Sequence, residues 1–126
     1  MNIIDSIKKV IENKIAWKEC VGFYIGKTEN FEERRFNHTQ NDGYTFCWEL
    51  ADGTPEKISK LENSLISYYQ KNDKYKNLID NENKGSAGNS NANILYVAFK
   101  FIGEFNINEL FEDELQIDSN FPITLS

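Results

Sequence analysis

The sequence predicts a single α/β (α+β) domain: a small mixed or antiparallel sheet of about three strands flanked by helices, with an added N-terminal helix and an acidic C-terminal helix and tail. Three observations lead to it. Apolar residues recur at helical spacing in two long stretches, and three runs of β-forming residues are separated from them by turn signals. The 126 residues match one domain of ordinary size, and no internal repeat or linker divides them.

The elements follow in order. Residues 2–14 place Ile3, Ile4, Ile7, Val10 and Ile11 at the i, i+1, i+4, i+7, i+8 spacing of an amphipathic helix. Residues 20–26 form a short buried strand ended by Gly26. Asn30-Phe31-Glu32-Glu33 has the form of a capping box, with early acids that complement the helix dipole, and starts a helix to about Thr39. Gln40-Asn41-Asp42-Gly43 is a turn, residues 44–51 a second strand, and Asp52-Gly53 another turn. Thr54 is an N-cap followed by Pro55 at the first helical position, where a missing N–H costs nothing, and that helix runs to about Lys71. Residues 72–93 are polar and end in the Gly/Ser/Asn loop 85–93. Residues 94–102 (ILYVAFKFI) are a continuous apolar run, the mark of a strand buried on both faces. Gly103 breaks it, and residues 108–115 make a short acidic helix with Leu110, Phe111 and Leu115 as its apolar stripe. The domain core is therefore expected over about residues 15–103.

The net charge of −6 is unevenly placed. Residues 1–103 hold all 14 basic residues and 14 of the 20 acids, so they sum to zero, and the excess lies in residues 104–126. Acidity argues against a phosphate partner only where it is local. The C-terminal extension is expected to be a solvated acidic cap. No run of 18 apolar residues exists, so no membrane span is expected. The charged residues among the first isoleucines argue against a signal peptide. Cys20 and Cys47 read as reduced core thiols of a cytoplasmic protein, and the one histidine excludes a His-rich zinc site.

Two helical faces carry candidate chemistry. Arg34 and His38 are i and i+4, one turn apart on one face, with Phe31 between them to turn that face toward the domain body. A cation beside an imidazole suits an anionic ligand; a solvated helix surface is the alternative. On the helix after Thr54, Ile58, Leu61, Leu65, Ile66, Tyr68 and Tyr69 fill one arc, and Glu62 falls within it. A carboxylate aimed at a core costs several kcal/mol unless it is paired, hydrogen-bonded or metal-bound. It is either a structural ion pair, with Arg34 or Arg35, or a metal ligand or general acid–base.

The stretch from Tyr24-Ile25-Gly26-Lys27-Thr28 through Asn30-Phe31 and Arg34 to His38 resembles the second half of the signature of the GIY-YIG nuclease family. Trp48-Glu49-Leu50-Ala51 and Leu61-Glu62-Asn63-Ser64-Leu65-Ile66 are similar to that family's middle strand and to its helix with a metal-binding Glu. The resemblance covers roughly residues 20–102. It implies a Mg²⁺- or Mn²⁺-dependent endonuclease that hydrolyses DNA phosphodiester bonds through a single metal. Glu62 would hold the metal, Arg34 would neutralise charge on the phosphate, and Tyr24 and His38 would position or deprotonate the attacking water. Lys27, Arg35 and Asn89 would contact nucleic acid. The family's first motif, Gly-Ile-Tyr on a strand about ten residues before Tyr-Ile-Gly, has no match upstream of Tyr24, where Trp17 lacks a hydroxyl. The expected site therefore has one tyrosine instead of two. The other reading is a degenerate GIY-YIG-like module that binds nucleic acid or a protein without cleaving. In either case a homodimer or protein partner would supply DNA affinity.

Overall fold

The computed structural model describes residues 2–82, 91–105 and 117–125. Asn89 and the acidic helix expected over 108–115 lie outside the described residues. Helix α1 (Ile3–Trp17) starts at Asn2, whose side chain accepts the Asp5 N–H at 2.8 Å. Strand β1 (Glu19–Thr28) follows, with a bulge between Cys20 and Gly22. Helix α2 (Phe31–Gln40) is capped by Asn30, which accepts the Glu33 N–H at 3.1 Å. Gly43 then supplies the positive φ of 82° that the turn needs. Strand β2 (Phe46–Asp52) leads to Thr54, whose side chain caps helix α3 (Pro55–Lys71) through the Lys57 N–H. Strand β3 (Ile94–Ile102) and a two-residue strand β4 (Ile123–Thr124) complete the fold.

The architecture is a four-stranded mixed sheet with the order β1-β3-β2-β4. Both pairings of β3 are antiparallel, and β4 lies parallel to β2. The expected three strands are present. The fourth is too short to leave a periodic pattern in the sequence.

Alternation along the strands divides the core in two. Phe23, Ile25, Trp48, Leu50, Val97 and Phe99 face α1 and α3, where they meet Ile7, Ile11, Ile58, Leu65 and Ile66. Tyr96, Ala98 and Cys47 face the other side, with Tyr24 against them, and meet Phe31 of α2. The outer edge of β1 is covered instead of left open. The Asn81 side-chain amide accepts the Ile25 N–H at 2.9 Å and donates to the Ile25 carbonyl at 2.8 Å, while the Asp80 N–H donates to the Phe23 carbonyl.

The C-terminal extension departs from the expected solvated cap. Ile117 and Phe121 are buried in the main core, and the Leu125 N–H donates to the Asp52 carbonyl at 2.8 Å. Phe105 packs on Trp17, Phe46 and Phe101. Apolar residues dock the described parts of this extension, 104–105 and 117–125, on the core. Both cysteines are free thiols, as expected. No helix among the described residues is long and apolar enough to cross a membrane.

Truncating a core contact should cost far more than truncating a surface one. Leu65 is fully buried, so Leu65→Ala should lower unfolding free energy by about 2–5 kcal/mol in urea denaturation. Phe36 is 62% exposed on α2, and Phe36→Ala should change it by no more than about 0.5 kcal/mol.

Candidate functional site

The site grows from the face of the sheet covered by α2. Tyr24 on β1 and Tyr96 on β3 point to this side, and α2 brings His38 onto them. The rings of Tyr24 and His38 lie 5.3 Å apart, and those of Tyr24 and Tyr96 6.3 Å apart. Tyr44, just before β2, closes the cluster edge-on to His38 at 5.3 Å. Gly26 pairs in register with Tyr96, and a Cβ at Gly26 would collide with the Tyr96 hydroxyl and press on the Tyr24 ring. The last residue of Tyr-Ile-Gly is thus small because a phenol from the neighbouring strand occupies the space a side chain would need.

His38 is engaged through both nitrogens. Nε2 is 2.9 Å from the Tyr96 hydroxyl, and Nδ1 is 2.9 Å from an Asp42 carboxylate oxygen, off the line of a full hydrogen bond. The arrangement that satisfies both is a neutral imidazole with its proton on Nδ1, toward the carboxylate, and Nε2 accepting from Tyr96. Burial lowers the His38 pKa below its ordinary 6.5, and the Arg34 cation adds to that, against the opposing pull of Asp42. Burial raises Tyr24, the Glu62 charge raises it further, and Arg34 opposes both. Tyr96 and Tyr44 are also raised, chiefly by burial, and the Tyr44 hydroxyl donates to Asp80 at 2.9 Å. All three phenols keep their protons at neutral pH. Cys47 is pushed up to about 12 by burial, so it is no thiolate nucleophile.

Arg34 is exposed at the rim, and its charge reaches Tyr24, His38, Tyr96 and Cys47. Arg35 instead lays its guanidinium 6.0 Å from the centre of the Phe31 ring. Glu62 comes from the opposite side of the sheet. It is 4% exposed, and its charge reaches Tyr24 and Tyr96. Lys27 forms an ion pair with it, its Nζ lying 3.9 Å from Glu62 Oε1 and donating to Ser59 Oγ at 2.8 Å. Lys27 falls on the α3 side of β1 because it is two residues beyond Ile25. Of the loop asparagines, Asn93 ties strand ends together: its N–H donates to the Thr28 carbonyl, and its carbonyl accepts from Gly53.

The predicted residues thus meet unequally. Tyr24 and His38 are in ring contact, whereas Arg34 and Glu62 act on Tyr24 through charge from two sides. Sequence reasoning missed Tyr96, Tyr44 and Asp42. A signal for Tyr96 existed: a phenol in the middle of a fully buried run must find a hydrogen-bond partner. Asp42 read only as a turn residue. Among the described residues no three His, Cys, Asp or Glu side chains gather into a metal site. The carboxylate that the resemblance assigns to a metal, Glu62, is 4% exposed and has the Lys27 ammonium 3.9 Å away. Compared with family models, with curated proteins and with solved structures, the chain matches none.

Two outcomes test this geometry. The His38 pKa lies below its unfolded value, so its contribution to stability is complete above about pH 6.5 and is lost as pH falls through the window below. Thermal melts should therefore show wild type losing stability on acidification more steeply than His38→Gln. Gly26→Ala should displace the Tyr96 hydroxyl, cost about 1–3 kcal/mol as an overpacked site, and shift the ring resonances of the sole histidine.

Proposed function

We propose that this chain is a GIY-YIG-type endonuclease that hydrolyses DNA phosphodiester bonds with a single Mg²⁺ or Mn²⁺ ion. The observation that carries the reading is the pairing of β1 with β3. Tyr24-Ile25-Gly26 runs antiparallel to Tyr96-Val97-Ala98, with Gly26 opposite Tyr96, so a second tyrosine stands next to the first in space although no Gly-Ile-Tyr precedes it in the chain. An Ile-Leu-Tyr strand late in the sequence takes the place of the missing early motif.

Exposure sorts the roles. Arg34 is open to solvent and Tyr24 half-buried, so these two are placed to meet a phosphate. Arg34 neutralises charge that builds on the phosphoryl oxygens, a preorganised electrostatic role. Tyr24, protonated at neutral pH, donates its O–H to the attacking water or to a phosphoryl oxygen and fixes its position. His38 and Tyr96 are almost wholly buried and hold the Tyr24 ring in place. Glu62 is the residue that would hold the metal, which when bound polarises a phosphoryl oxygen and stabilises the leaving oxygen. Electrical neutrality of residues 1–103 means that a second copy or a protein partner supplies much of the DNA affinity.

One observation favours a second reading, a module that binds nucleic acid without cleavage: Glu62 already has a cationic neighbour in Lys27 and is 4% exposed. A plasmid-nicking assay separates the two. Wild type should nick with Mg²⁺ or Mn²⁺, and Arg34→Ala and Glu62→Gln should each reduce the rate by about 10²-fold or more. Full activity in both variants would remove the site assignment. Salt-dependent DNA retardation by an inert wild type would establish the binding module.

A further inference from the structure

Asp42 breaks a local rule. It stands just past the end of α2, where the helix dipole favours a cation and a carboxylate faces the partial negative charge of the last carbonyls. The turn that carries it is nevertheless closed tightly. The N–H groups of Asn41 and Asp42 both donate to the Asn37 carbonyl, at 2.9 and 3.2 Å, and the Tyr44 N–H donates to the His38 carbonyl at 3.1 Å. Gly43, at a φ of 82°, reverses the chain between them. These bonds fold a half-exposed carboxylate back onto the helix, 2.9 Å from His38 Nδ1, although the His38 side chain itself is only 9% exposed. A residue that opposes the local preference and is still held in place marks a constraint set by something other than helix stability.

We propose that Asp42 is a positioning residue for Tyr24 and acts through His38. A carboxylate can only accept, so the Nδ1 proton is directed toward it and Nε2 is left as the acceptor for the Tyr96 hydroxyl at 2.9 Å. With both nitrogens assigned, the ring has a single orientation. Tyr24, whose ring lies 5.3 Å away, then packs against a fixed surface. Without the carboxylate, the Tyr96 phenol serves equally well as an acceptor from Nε2–H, and the asymmetry that orients the ring is lost. Arg34 and Asp42 stand four residues before and after His38, a cation and an anion on either side of the imidazole. Asp42 therefore adds nothing to the affinity for a phosphate, and its effect is confined to orientation. The consequence for cleavage rests on the nuclease reading of Tyr24, whereas the assignment of the ring proton does not.

Heteronuclear proton–nitrogen NMR of the sole histidine, at neutral pH where burial keeps the ring uncharged, tests this. Wild type should carry its proton on Nδ1. Asp42→Ala should transfer it in large part to Nε2 and shift the Tyr24 ring resonances. Asp42→Asn should restore both, because its side-chain carbonyl still accepts from Nδ1–H. In the nicking assay Asp42→Ala should lower kcat about tenfold or more, as a misplaced group does, with KM unchanged or lower, and Asp42→Asn should recover most of the rate. A proton on Nε2 in wild type overturns the proposal. So does an Asp42→Ala protein with the wild-type tautomer and Tyr24 resonances, or with the wild-type kcat. A wild type that does not nick removes the nuclease reading instead, and the ring measurements then decide the role of Asp42 alone.

Discussion

Burial of β3 on both faces is the constraint that organises everything else. Leu95 to Phe99 are all almost completely inaccessible to solvent, which requires a hydrogen-bonded strand on each side and a helical layer above and below. Strands β1 and β2 supply the first, α1 with α3 and then α2 the second. Few other arrangements of the same elements hide an uninterrupted run of this length. The cost is that any polar atom on β3 is deep in the protein and must be satisfied by a specific partner. Tyr96 carries that atom, and its partner is His38.

The Tyr96–His38 bond therefore connects the core to the candidate site. It fixes the register between β3 and α2 at one point, while the Asp42 carboxylate, which can only accept, favours the proton on Nδ1. Asp42 enters because the turn after α2 returns its carboxylate to the exposed side of the same ring. Gly26 belongs to this unit through what it lacks, since only a residue without a Cβ lets the phenol cross the edge strand. Tyr24, whose ring rests on all of these, is thus held by packing and not by a hydrogen bond of its own among those described.

Much of the fold was legible because its signals are local. Caps at Asn30 and Thr54, the apolar periodicity of α1 and α3, and the run 94–102 each depend on neighbours in sequence, and each element formed within a few residues of its expected bounds. Strand β4 and the docking of Ile117 and Phe121 were not legible, because they depend on what the rest of the chain leaves uncovered. The site divides in the same way. Glu62 stood out as a carboxylate in an apolar arc, a one-helix argument, and it is buried as that argument required. Its pairing with Lys27 was not legible because the two are 35 positions apart, and only strand alternation together with the placement of α3 brings them together. Tyr96 was missed for the same reason: its contacts with Tyr24 and His38 are set by strand pairing and not by chain order.

A buried carboxylate on α3 cannot stand alone, so the physical question is which cation accompanies it. Lys27 stands 3.9 Å from it. Its flexible four-carbon stem lets the ammonium move several ångströms while the backbone stays fixed, and a point charge exchanges one anion for another without the geometric penalty of breaking a bidentate fork. Arginine at position 27 would make a stronger and more permanent pair, which would close the carboxylate to anything else. The location matters as much as the residue type: Lys27 is anchored on the same edge strand as Tyr24, one residue past Gly26, with its side chain buried against Glu62 of α3. Charge on the two sides of the sheet is then linked through a single strand. The buried pair and the tyrosine cluster thus lie on opposite faces of the sheet and are joined through one edge strand.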